Sequence, residues 1–193
     1  MKQILQRLRM AMELVIPDYS LLEKSTTNSV PLELYKYWDG KRNTRKFPSR
    51  TDINPLEFVF ALSWLSLVNV GVEPRSFHYR LVSTSLTERL GYEMTGKSAD
   101  EIPEDDVRQY VIDFYGRAVA ARMPVFEKSA RIFQNRIWEH EALVLPLSSD
   151  GETIDLLMVY RITHKPQPLP RLSRVQFSLS ITGRAGTACG KGM

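Results

Sequence analysis

Between residues 125 and 160 the chain is written as three β runs in succession, Val125 to Phe133, Ile137 to Leu145 and Ile154 to Tyr160, separated by Gln134/Asn135 and by Asp150-Gly151. Turns that short admit only antiparallel neighbours, so this part of the chain is committed to a meander. Two further strands precede it. Leu65 to Val70 is a β-rich apolar run, and Phe77, Tyr79 and Leu81 alternate with His78 and Arg80. Between the two sets lie helical signals. Ser85-Leu86-Thr87-Glu88 reads as a capping box closed by Gly91, and after Pro103 the residues Val107, Tyr110, Val111, Phe114 and Ala118 form one stripe of a longer helix ending near Arg122. The expectation is an α+β fold, a five-stranded antiparallel sheet with its helices gathered on one face.

Upstream, Ile4, Leu5, Leu8, Met12 and Val15 recur at helical spacing and predict an amphipathic helix over residues 1 to 16, stopped at Pro17 and Asp18. Glu23 to Ser29 reads as a linker. Pro31 opens a short helix through Leu34, Tyr35 and Trp38 to Gly40, and Asn54-Pro55-Leu56-Glu57 begins another that runs into Trp64. The tail from Lys165 carries Pro166, Pro168 and Pro170, then Val175, Phe177, Leu179 and Ile181 in alternation. It is expected either to be disordered or to add an edge strand. The organisation is therefore residues 1–30 as helix and linker, 31–164 as the domain, and 165–193 as a basic tail.

Composition narrows the classes. At 193 residues, 43% hydrophobic and 25% charged, there is room for one ordinary domain, and no apolar stretch is long enough to cross a bilayer. Nothing in the first residues resembles a secretory signal, and one cysteine, Cys189, allows no internal disulfide, so a cytoplasmic protein is expected. Net charge is +4, divided as +5 over residues 1–50, −7 over 51–160 and +6 over 161–193. Basic ends on an acidic body argue against nucleic acid as a partner, although a nucleic-acid-associated regulator using those ends is one alternative. A small enzyme of a cone-shaped α+β fold is another; two strands before the longest helix argue against it.

More specific patterns accompany the topology. Tyr37-Trp38, a basic stretch from Lys41 to Lys46, and Pro48-Ser49-Arg50-Thr51-Asp52-Ile53-Asn54-Pro55 stand in order. Tyr79-Arg80-Leu81 leads to Thr84, followed by Gly91 with Thr95-Gly96, Arg122-Met123-Pro124-Val125 and Leu145-Pro146-Leu147-Ser148. In these motifs, and in element order over roughly residues 32 to 162, the chain resembles the small stand-alone PAS-domain proteins of proteobacteria. The resemblance implies a sensor and protein-interaction module whose sheet and longer helix enclose a pocket. Haem-binding members commonly ligate iron through a histidine on that helix, and residues 105 to 122 contain none. Photochemical flavin members need an Asn-Cys-Arg-Phe context, which Cys189 lacks, so both cofactors are disfavoured.

The expected pocket joins Phe77, Tyr79 and Leu81 to Leu143, Leu145, Leu156 and Met158, opposite Tyr110 and Phe114, either filled or open to a small apolar ligand. Leu157, Val159, Trp138 and Val144 would then face the far side. The N-terminal helix is the expected cover there, and its stripe is the expected homodimer interface. Within the signature Trp38, Pro48, Ser49, Arg50, Asp52 and Pro55, an Arg50–Asp52 ion pair is expected to pin the segment, with anion binding by Arg50 as the other reading. No metal site is expected. Glu139-His140-Glu141 splits across a strand's two faces, and Glu104, Asp105 and Asp106 complement a helix dipole. No catalytic constellation emerges, and signalling through a protein partner is the expectation.

Overall fold

The computed structural model describes residues 10–16, 19–72, 76–133, 136–165 and 167–168. Within them lie seven strands: β1 (Met10–Val15), β2 (Leu65–Val70), β3 (Phe77–Leu81), β4 (Val125–Phe133), β5 (Arg136–Leu147), β6 (Leu156–Thr163) and the two-residue β7 (Gln167–Pro168). Four α-helices accompany them: α1 (Tyr19–Ser25), α2 (Ser29–Arg42), α3 (Thr84–Leu90) and α4 (Asp105–Ala121). The sheet runs β1-β4-β5-β6-β2-β3, antiparallel at every pair, with β7 against β5.

The α+β class, the two early strands and the meander stand as expected, but the chain's first element does not. Residues 10 to 15 are not helical; they form a sixth main strand, pairing Met10 with Ala130 through Val15 with Val125. Met12 and Val15 thus belong to a sheet edge, while Ile4, Leu5 and Leu8 lie outside the described residues, as do Pro17 and Asp18. Residues 10 to 15 alternate nearly as well at period two as at period 3.6, and the open edge of β4 settles the choice.

Other local differences have local causes. Part of the expected linker is α1, and α2 begins earlier than Pro31 because Asn28 caps it, its side chain accepting from the Val30 N–H; Gly40 lies inside the helix. Ser83, rather than Ser85, caps α3 by accepting from Leu86, while Gly91 ends it at φ 76°, where a glycine is unstrained. Pro55–Trp64 is a 3-10 helix kinked at Phe58. Gly151 takes φ 82° in the β5–β6 turn, where Asp150 Oδ1 accepts from the Glu152 and Thr153 N–H groups. Gln134/Asn135 and the alternation from Val175 to Ile181 lie outside the described residues.

Pairing registers fix which side chains share a face. Tyr160 stands opposite Leu143 and Leu65, Leu143 opposite Phe126, Met158 opposite Leu145 and Leu67, and Leu156 opposite Leu147. Residues one position along, Val144, Leu157, Val159, Arg161, Ala142 and Glu127, point the other way. The contacts then identify the layers. Tyr160 OH receives a hydrogen bond from Asn28 at 3.2 Å, and Glu141 accepts from Thr26 Oγ1, Thr27 N and Thr27 Oγ1 at 2.8, 3.0 and 2.5 Å, so this face meets the turn between α1 and α2. On the other face Arg161 lies over the rings of Tyr110 and Phe114, at 5.4 and 5.7 Å, so that face meets α4.

The far side is therefore covered by this chain's own residues 19 to 42 rather than by a helix over 1 to 16. The face assignment is the reverse of the expected one for β5 and β6. Both faces are apolar, which is why alternation alone could not tell them apart.

Candidate functional site

Four of the nine expected pocket residues come together. Phe77 and Tyr79, buried on β3, meet Tyr115 of α4 edge-on, with ring centroids 5.5 and 6.4 Å apart, while Tyr110 and Phe114 lie stacked at 5.9 Å and 9°. Leu143, Leu145, Leu156 and Met158 are buried on the opposite face, against the α1–α2 layer, and are not part of this group. Leu81 is 48% exposed beyond an irregularity in the β2–β3 pairing and is not in this group. In their place stand Val144, Leu157 and Val159, the residues expected outside.

The deeper part of this face is filled. Tyr79 and Tyr115 hydroxyls share a hydrogen bond at 3.3 Å, and burial pushes both phenols above their ordinary pKa, so the pair is neutral. Toward α3 the packing opens into a cleft of about 230 Å³ lined by Arg89, Leu90, Val107, Tyr110, Ser129, His140 and Arg161. Arg89 and Arg161 also border a wider outer groove of about 430 Å³ with Trp64 and Trp138.

Each wall has a local reason. Val107 and Tyr110 lie one helical turn apart on α4, so they face the cleft together. Ser129, His140 and Thr163 fall in line across β4, β5 and β6, which puts three polar side chains on one rung of the sheet. His140 Nδ1 lies 2.8 Å from Thr163 Oγ1, which also accepts from Arg89 at 2.5 Å, so the end of α3 is tied to the sheet. Tyr110 donates to Glu127 at 2.9 Å, and Glu127, itself buried, has Arg117 at 3.9 Å.

Arg161 is the residue the sequence reading missed. A third strand ending at Tyr160 stops three residues before Thr163 and so leaves Arg161 out, and the expected inward face has the wrong parity. Its Nη2 is sealed from solvent and has no hydrogen-bond partner among the described residues, an uncommon state for a guanidinium nitrogen. A charged residue at i+1 of a strand that is apolar on both faces was the available signal.

The signature residues assemble elsewhere, at the far end of β5. Trp38 Nε1 donates to Pro146 O at 2.7 Å, Pro48 O accepts from Ser148 N at 3.0 Å, Ser49 caps the short 3-10 turn Arg50–Asp52, and Pro55 starts the next. Asp52 pairs with Arg45, not Arg50, at 2.7 Å and accepts from the Ser49 N–H. Arg50 donates instead to Ile53 O at 3.0 Å. This is a latch holding the loop to the sheet, distant in the fold from the cleft.

Among the described residues no group of three or more His, Cys, Asp or Glu side chains is disposed to hold a metal, and no helix is long and apolar enough to cross a membrane. A family model described as a PAS domain matches residues 26–160, more than half of the chain. No curated protein and no solved structure gives a significant match.

Proposed function

The chain belongs to the PAS-domain family, and from that membership we propose that it is a non-enzymatic sensory adaptor that takes a small molecule into the cleft between α3, α4 and the sheet and signals by protein contact. The observation that carries this reading is the cleft itself. Its walls mix apolar, aromatic and hydrogen-bonding groups, the composition by which ligand sites hold and orient small molecules. The output side is supported by the 3-10 segment Pro55–Trp64, which packs on α3 and β6 yet turns Leu56, Val59, Phe60 and Leu62 to solvent at 80, 61, 49 and 39% exposure. The reading includes no haem or flavin, a cytoplasmic location, and a homodimer with a protein partner of a signalling pathway.

The test is a thermal-shift screen of metabolite fractions on the wild type and on Ser129→Phe, whose ring would fill the cleft. Fractions that raise Tm in the wild type and not in the variant support the reading. Equal shifts in both, or none in either, count against it. A Soret band at about 400 nm in the purified protein would overturn the absence of haem.

A further inference from the structure

Among the described residues, the cleft's lining contains two arginines and no carboxylate. Arg161 reaches it across the faces of Tyr110 and Phe114, and its Nη2 is buried without a hydrogen-bond partner among the described residues. The ring faces meet part of its charge but accept no conventional hydrogen bond, so an arriving acceptor would be favoured there. The nearest buried acid, Glu127, is engaged by the Tyr110 hydroxyl and approached by Arg117, and it is not on the cleft wall. Arg89 supplies a second cation, steadied by Thr163, and Ser129 adds a hydroxyl.

We propose that the cleft is a binding site for a small organic carboxylate, its anionic end held by Arg161 and Arg89 and its apolar body lying against Leu90, Val107 and the Tyr110 ring. This rests on the ligand-sensing reading above and names the ligand's class. A planar carboxylate matches the guanidinium fork, and the apolar walls select an organic acid over an inorganic anion. At about 230 Å³ the cleft is smaller than the roughly 300–1,000 Å³ of drug-sized sites, so the acid is a small one.

The probes are benzoate, phenylacetate and hexanoate beside benzamide, phenylacetamide and hexanamide, titrated while Trp64 and Trp138 fluorescence at the adjoining groove is followed. At least one acid should bind about tenfold or more tightly than its amide, the margin of one charge-assisted hydrogen bond. Arg161→Gln and Arg89→Gln should each remove most of that margin. Arg89 is exposed, so its variant reports on binding even if Arg161→Gln is poorly folded. Acid and amide binding equally, with Ser129→Phe blocking both, would overturn the carboxylate proposal and leave the sensor reading standing. Inorganic phosphate competing as strongly as the best acid would overturn the organic class. No binding by any probe to the wild type would overturn the proposal, and the separate screen against Ser129→Phe then decides the sensor reading.

Discussion

Single residues divide by what they are asked to hold. Phe114 is fully buried, stacked on Tyr110 and beneath Arg161, with no wall of the cleft to its credit, so it is core. Phe114→Ala should cost about 3–5 kcal/mol in denaturant unfolding, the range for a filled aromatic site. A loss well under that would mean the cleft extends through its position. Asp52 works differently. The Ser49 N–H and then Arg45 hold its carboxyl below the ordinary range against some opposition from burial. A carboxyl depressed in the folded state contributes stability that is fully present above its unfolded pKa of about 4 and is lost as pH falls through the folded value. Wild-type Tm should therefore drop more steeply below about pH 4 than that of Asp52→Asn, and parallel profiles would contradict the latch.

At the level of elements, Glu141 is the tie between the sheet and its N-terminal cover. It is fully buried and accepts three hydrogen bonds from Thr26 and Thr27, with Lys128 and His164 at 3.9 and 3.7 Å. Glu141→Ala should destabilise by about 2–4 kcal/mol and loosen α1 and α2 ahead of the rest in hydrogen exchange. Uniform loosening would mean that the cover does not depend on this contact. The same element shows where sequence reading stopped. Elements and their order were legible from period and caps: β2, β3 and β4 fall at their expected limits. What was not legible was the parity of β5 and β6. Leu143, Leu145, Leu156 and Met158 are as apolar as Val144, Leu157 and Val159, and a sheet buried on both faces offers no polar side to orient it. That ambiguity placed four pocket residues on the wrong layer and hid Arg161. The N-terminal helix failed for a related reason, since the partner strand that claims residues 10 to 15 is more than a hundred residues away.

The whole molecule joins a sheltered cleft to an exposed apolar ridge through two shared elements. Arg89 of α3 and Arg161 of β6 face the ligand space, and the segment Pro55–Trp64 packs on both elements. With residues 10 to 15 in a strand, the proposed homodimer needs another surface, and the ridge proposed above for protein contact offers one. Four apolar side chains exposed within seven residues, uncovered by any described residue, suit a second copy of the same surface. Val59→Ser with Phe60→Ser should convert a dimer to a monomer in light scattering without lowering Tm appreciably, whereas unchanged mass would move the interface elsewhere. The central claim is that the cleft carries a ligand, and native mass spectrometry of the protein purified from its own host tests it most directly. A retained small-molecule adduct on the wild type that is missing from Ser129→Phe is the expected result; the bare chain mass for both proteins would contradict it.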